Sequence, residues 1–186
     1  MIVRGLLQAF LASAVMLAPV SHAADRSASL YQMHEKLLSQ DGKAIDLDVY
    51  RGQPVLVTMF YGSCPATCPL IIDTLRAVER KLDEPQRKAL RVLLVSLDAE
   101  HDTPKALRQV ADTRRVDTSR WTLAHADAAA VRRIAAALSI QYRQLPDGQF
   151  SHATLITALD AEGKILAQSE ELGQADPDLV RAVSAR

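Results

Sequence analysis

The amino-acid sequence predicts an α/β domain in which a mixed central β-sheet is flanked by helices. Two mainly apolar runs, residues 55–61 and 92–97, are continuous rather than alternating, which is the pattern of central strands covered on both faces. Each run is followed by a segment with helical periodicity, and the chain closes on a hairpin and a helix. This order of elements favours parallel strands at the centre of the sheet.

The first half of the chain is predicted to contain a hairpin, a strand and a helix. The turn signal Asp41-Gly42 predicts an N-terminal β-hairpin around residues 40–43, although residues 30–38, its first arm, also match a short helical face. The first apolar strand follows. After it, apolar residues recur at i, i+4, i+7 and i+11, which predicts a helix over residues 70–82.

The second half is predicted to continue the alternation of strands and helices. The strand at residues 91–98 is followed by a helix that opens at Pro104 and by a short strand at residues 121–124. A helix at residues 128–138, capped by Asp127, comes next. The chain then forms a strand at residues 152–159, its hairpin partner at residues 164–168, and a helix at residues 178–183. The sequence has no internal repeat and no linker, so one domain is predicted.

Residues 1–23 are predicted to be an export signal. Arg4 is their only charged side chain apart from a histidine, residues 5–20 are mostly apolar, and Ser21-His22-Ala23 supplies small residues at the cleavage positions. Cleavage after Ala23 predicts an exported, periplasmic protein. The alternative is a membrane anchor formed by residues 5–20, if the segment stays uncleaved.

The rest of the chain, residues 24–186, is predicted to be a single domain with its core at about residues 44–183. The 186-residue sequence has a formal net charge of zero and no basic block, which argues against nucleic acid and anionic membrane surfaces as partners. We expect a monomer.

The two cysteines of the chain, Cys64 and Cys68, lie where the first apolar strand gives way to a helix. This position and the C-x-x-x-C spacing are typical of thiol redox chemistry or of soft-metal binding, and a helix N-terminus beside the sulfurs favours a thiolate. A structural disulfide is a third interpretation, but closing so short a loop adds little stability. A dithiol at this place, followed by βα units and a hairpin, predicts a thioredoxin-like fold.

One histidine is predicted to reach the same edge of the sheet. If the strand at residues 152–159 runs antiparallel to the first apolar strand, it begins where that strand ends, and His152 then faces Cys64 and Cys68. The other histidines of the domain are interpreted as surface or packing residues. Two thiolates and an imidazole form a soft three-ligand site, which suits Cu(I) and also accommodates Cu(II) or zinc.

Three ordered motifs resemble the Sco/SenC family of copper-handling proteins with a thioredoxin fold. They are FYGSCPATCP at residues 60–69, VSLDAEHDTP at residues 95–104, and FSHA at residues 150–153. The resemblance implies that Cys64, Cys68 and His152 bind one copper ion, as Cu(I) or Cu(II). It also implies delivery of this copper to a partner metalloprotein, the CuA-bearing subunit of cytochrome c oxidase, or thiol reduction of that subunit.

The resemblance leaves two activities open, a metallochaperone and a thiol-disulfide oxidoreductase. In the second, Cys64 attacks and Cys68 resolves, which keeps the cysteines of a partner reduced and requires a thiol reductant protein as a further partner. The chain also departs from the pattern of the family, which commonly has an acidic residue at Ala66, Arg at His101, Asp at Ser151, and Ser or Thr at Ala153.

Overall fold

The structure is a computed structural model that describes residues 29–64 and 67–184. The predicted export signal and Ala66 lie outside these residues. In the part of the chain that is described, no helix combines the length and apolar character that crossing a membrane requires.

The strands form a main sheet and a small separate ribbon. In chain order they are β1 (Lys36–Ser39), β2 (Ala44–Asp46), β3 (Val55–Phe60), β4 (Arg91–Ser96), β5 (Trp121–His125), β6 (Tyr142–Gln144), β7 (Phe150–His152), β8 (Ile156–Leu159) and β9 (Ile165–Ser169). The main sheet has the order β2-β1-β5-β4-β3-β8-β9, and β6 pairs with β7 in the ribbon.

The pairing directions confirm a mixed sheet. Strands β3, β4 and β5 are parallel at its centre, while β8 runs antiparallel to β3 and β1 runs antiparallel to β5. The antiparallel pair β1–β2, with Leu38 opposite Ala44, confirms the N-terminal hairpin. All six residues of β3 are buried, as expected for a strand that helices cover on both faces. The predicted α/β, thioredoxin-like fold is therefore confirmed.

Five α-helices accompany the sheet in the described residues. They are α1 (Thr67–Glu79), α2 (Glu84–Ala89), α3 (Pro104–Thr113), α4 (Ala128–Ala137) and α5 (Pro177–Ser184), and 3₁₀ turns occupy Leu30–Met33 and Leu47–Tyr50. Helix α1 begins and ends three residues before the predicted bounds. Helix α2 was not predicted. It begins at a capping box between Asp83 and Gln86, a signal that the sequence does contain.

The prediction of a single strand at residues 152–159 is wrong. Strand β7 ends at His152 and β8 begins at Ile156, because the two segments pair with different partners. The first pairs with β6, which was not predicted, and the second enters the main sheet beside β3. Between them, the Thr58 hydroxyl donates to the Leu155 carbonyl at 2.9 Å, so β8 starts near the carboxyl end of β3.

A buried carboxylate joins α1 to the start of β5. Glu79 accepts hydrogen bonds from the Arg120 guanidinium at 2.5 Å and from the indole N–H of Trp121 at 3.0 Å. Because Glu79 is only 8% exposed, these two donors replace the water that would otherwise solvate its carboxylate. The contact fixes the C-terminal half of α1, whose first turn carries Cys68.

Candidate metal centre

Cys68 lies in the first turn of α1, Cys64 lies three residues before that helix begins, and no disulfide joins their sulfurs. Both are buried, Cys64 at 8% exposure and Cys68 at 5%. The backbone N–H of Cys68 donates to the Cys64 sulfur at 3.3 Å, using one of the amides that a helix leaves unpaired in its first turn. This amide and the positive end of the helix favour negative charge on the Cys64 sulfur.

The two sulfurs are not equivalent. Burial raises the pKa of the Cys68 thiol well above its ordinary value, and the neighbouring Cys64 raises it further. Cys68 is therefore a protonated thiol at neutral pH, whereas the Cys64 sulfur is the one that accepts an amide N–H. In a dithiol with this asymmetry, the sulfur beside the amide more readily forms the thiolate, which is the species that attacks disulfides and binds metals.

Asp102 holds the loop that leads to Cys64. Its Oδ2 accepts hydrogen bonds from the backbone N–H of Gly62 at 2.7 Å and from the Ser96 hydroxyl at 2.5 Å. Burial raises the pKa of the Asp102 carboxyl, while these two donors oppose the rise. The side chain passes so close to the loop that a Cβ at Gly62 would lie 2.6 Å from Oδ1. The loop is thereby tied to the end of β4.

From the sequence, either Asp102 or Thr103 is predicted to cap the helix that opens at Pro104. That role belongs to Thr103, whose hydroxyl accepts the N–H of Ala106. The signal that could have indicated a site residue is its position in the loop after a central parallel strand, the edge at which α/β sheets collect functional groups.

His101 lies on the surface next to this loop. Its Nδ1 is 2.9 Å from Oδ1 of Asp98, and its side chain is 68% exposed. The Asp98 carboxylate raises the pKa of the imidazole above its ordinary value. His101 and Asp102 line one cleft together with Gly62 and Ser63, so the exposed imidazole is near the cysteine loop.

His152 is held as a neutral imidazole with one nitrogen available. Its Nδ1 lies 3.1 Å from the Ala153 carbonyl, which can only accept, so Nδ1 carries the proton and Nε2 presents its lone pair. Burial lowers the pKa of the imidazole below its ordinary value. A neutral histidine whose second nitrogen is fixed by a carbonyl is the form that binds metals.

Tyr61 connects this histidine to the cysteine loop. Its ring lies edge-on to His152 with centroids 6.2 Å apart, and it packs against Phe150 at 5.3 Å. Burial is the main cause that raises the pKa of the Tyr61 hydroxyl, followed by its contacts with Cys64. His152 thus lies at the edge of the sheet where the cysteines are, with Tyr61 in contact with both.

The three predicted ligands are not gathered into a coordination sphere. Among residues 29–64 and 67–184, no group of three or more His, Cys, Asp or Glu side chains is arranged to hold a metal ion. Cys64 and Cys68 are together, and His152 approaches them through Tyr61. The donor chemistry still fits a soft metal, since two thiols and a neutral imidazole nitrogen are the groups that thiophilic ions prefer.

Fold and site together define a thioredoxin-like protein with a reduced dithiol at the end of a central strand. The model of the SCO1/SenC family matches residues 23–183. The chain belongs to the SCO1/SenC family.

Individual relatives are distant in sequence. The SCO1 protein homolog of Bacillus subtilis (strain 168) is 26% identical over 83 residues, which cover 45% of this chain and 42% of that protein. The copper-bound structure of Arabidopsis thaliana ScoI has a TM-score of 0.70 at 17% identity, covering 80% of this chain and 93% of ScoI. BsSco, whose structure identified a disulfide switch, has a TM-score of 0.66 at 21% identity, covering 80% and 88%. At these identities the solved structures establish the fold.

Proposed function

We propose that this protein binds one copper ion through Cys64, Cys68 and His152 and delivers it to a partner metalloprotein. The observation that carries the proposal is the state of the donors: a reduced dithiol and a neutral imidazole with Nε2 available, at one edge of the sheet. Membership of the SCO1/SenC family and the copper-bound ScoI structure support copper as the cargo.

Transfer requires that the chain give up its ligands in turn. The Cys64 sulfur lies at the helix N-terminus and binds first, while Cys68 must lose its proton on binding, so copper uptake releases a proton. Thiolates of the acceptor then replace the three ligands one at a time. We propose the CuA site of cytochrome c oxidase as the acceptor, because BsSco is described as a member of a family of cytochrome c oxidase assembly proteins.

Copper binding by the reduced protein tests the three-ligand site. The wild type is expected to bind one Cu(I) per chain under anaerobic conditions, and His152→Ala is expected to bind at least about tenfold more weakly, since a ligand is lost. His101→Ala is the matched control, because it removes an imidazole from the surface beside the same loop. Equal affinity of His152→Ala and the wild type would exclude His152 as a ligand.

A second candidate function is thiol-disulfide exchange. The inequality of the two sulfurs favours it, because one accepts an amide N–H and the other is a buried thiol of raised pKa. The Cys64 thiolate attacks a partner disulfide and releases one partner thiolate. Cys68, once deprotonated, attacks the Cys64 sulfur of the mixed disulfide and releases the other. A thiol reductant protein then reduces the Cys64–Cys68 disulfide.

Trapping separates the exchange activity from copper transfer. Cys68→Ser keeps the attacking sulfur and lacks the resolving one, so it is expected to accumulate a mixed disulfide with the partner. The double variant Cys64→Ser/Cys68→Ser is the control and should trap nothing. If Cys68→Ser traps no partner while the wild type transfers copper to the CuA subunit, the exchange activity is excluded.

We also propose that the mature chain is an exported monomer of residues 24–186, folded as one domain and released by cleavage after Ala23. Mass spectrometry of the protein recovered from the periplasm should give the mass of residues 24–186, and size exclusion should give one chain per particle. Recovery of the intact chain from the membrane fraction would instead support an anchor formed by residues 5–20.

A further inference from the structure

Tyr61 is the first residue after β3, and it is almost completely buried, at 3% exposure. Its ring is part of an aromatic cluster with the rings of Phe150 and His152, both on β7. Tyr142 on β6 extends the cluster, since its ring centroid is 6.3 Å from that of Phe150. The cluster therefore joins the strand that leads to the dithiol with both strands of the ribbon, which we call the histidine hairpin (residues 142–152).

The histidine hairpin is not part of the main sheet. Its strands pair with each other, with Tyr142 opposite His152, and the N–H of Ala153 adds a bond to Gln141 at the base. These hydrogen bonds fix the shape of the hairpin but not its position relative to β3. Ring packing by Tyr61 is a direct link between the two.

We propose that Tyr61 is a positioning residue that holds the histidine hairpin against the dithiol and so determines whether His152 reaches the copper. This inference rests on the proposed copper function. The assignment follows from contacts on both sides of one side chain: the ring packs on Phe150 and His152, and the hydroxyl interacts with Cys64 and with the backbone of Phe150.

The arrangement links the state of Cys64 to the position of the histidine. A copper ion on Cys64 would withdraw electron density from the sulfur with which the Tyr61 hydroxyl interacts, and so would weaken that interaction. Since the same hydroxyl contacts the backbone of Phe150, the change reaches the hairpin two residues before His152. Loading of the dithiol thereby acts on the residue that carries the third ligand.

Hydrogen exchange in the copper-free protein tests the mechanical part of the proposal. Tyr61→Phe keeps the ring and removes the hydroxyl, and it is expected to speed amide exchange at Phe150 and His152 about threefold to tenfold, the loss that one hydrogen bond predicts. Tyr50→Phe is the matched control, because it removes another buried hydroxyl far from the dithiol. Tyr50 lies beside Arg91, which pairs with Val55 at the opposite end of β3 from Tyr61. Tyr61→Leu also removes the ring that packs on Phe150 and His152, so it should speed this exchange further. Unchanged exchange in the hairpin of both variants would overturn the proposal.

A double-mutant cycle on copper affinity tests whether Tyr61 acts through His152. In the wild-type background Tyr61→Phe should weaken Cu(I) binding about threefold to tenfold, and in the His152→Ala background it should change binding less than about twofold. Equal losses in both backgrounds would show that Tyr61 does not act through the histidine. If the wild type binds no copper the proposed function fails, and the exchange comparison still decides the positioning role.

Discussion

Replacing Gly62 by alanine should destabilise the protein through a contact with one identified side chain. The new Cβ would lie 2.6 Å from Oδ1 of Asp102 and 3.3 Å from a methyl carbon of Val110. To reach even 3.0 Å, the carboxylate must move by about 0.4 Å. It cannot do so independently, because its Oδ2 already accepts the Gly62 N–H at 2.7 Å and the Ser96 hydroxyl at 2.5 Å.

The size of the effect follows from these contacts. Overpacking at a buried position costs about 1–3 kcal/mol, and weakening one hydrogen bond to a charged acceptor costs about 1.5–3 kcal/mol. The two costs overlap, because movement of the carboxylate relieves the first at the expense of the second. We therefore expect Gly62→Ala to lower the free energy of unfolding by about 3 kcal/mol.

Urea unfolding of the reduced, copper-free protein measures this free energy, and a cycle with Asp102→Ala identifies its cause. The second substitution removes the atoms with which the new Cβ collides. Gly62→Ala should then cost less than about 1 kcal/mol, leaving a coupling energy of about 2 kcal/mol. The reasoning would be refuted if the losses of the two single variants summed to within about 0.5 kcal/mol of the loss in the double variant. It would also be refuted if Gly62→Ala alone lowered the free energy of unfolding by less than about 0.5 kcal/mol.

Two further predictions concern Glu79 and His101. Glu79→Ala leaves the charge of Arg120 without its buried partner and should lower the free energy of unfolding by about 3 kcal/mol. Glu79→Gln should lower it less. Urea unfolding, followed by the fluorescence of Trp121, the only tryptophan, compares the two variants. The Asp98 carboxylate raises the pKa of His101 in the folded chain. The stability that this pair contributes is therefore fully present below the pKa that His101 has in the unfolded chain, and it is lost as pH rises through the higher pKa of His101 in the folded chain. His101→Asn should therefore destabilise the protein more at pH 5 than at pH 8, and NMR titration of His101 at or below its ordinary pKa would contradict this.

The central strands could be predicted because burial on both faces leaves a direct mark on the sequence. Strands β3 and β4 are continuous apolar runs, and their helices carry apolar residues at helical spacing. The histidine hairpin could not be predicted in the same way. Its two strands have three residues each and are only partly buried, so neither an apolar run nor a clear alternation marks them. The sequence therefore predicts residues 152–159 as one strand.

The site shows the same division between local and distant information. The dithiol could be recognised from the spacing of Cys64 and Cys68 and from the strand that precedes them. The roles of Tyr61 and Asp102 could not, because they arise from contacts across the fold. Asp102 meets Gly62 across 40 residues of sequence, and Tyr61 meets Phe150 and His152 through packing of a ribbon that pattern analysis did not detect.

The departures from the family pattern around His152 affect the surface more than the ligand. The acceptor that fixes the imidazole is the backbone carbonyl of Ala153, which any residue at that position supplies, so the alanine does not change which nitrogen is available. Ser151 is exposed and lies opposite Arg143 in the ribbon, where the aspartate common in the family would form a cross-strand ion pair. Its replacement by serine leaves Arg143 as positive charge on the exposed surface of the hairpin. If the protein delivers copper as we propose, Ser151→Asp should change the rate of copper transfer to an acceptor while leaving copper affinity unchanged, because the three proposed ligands stay in place.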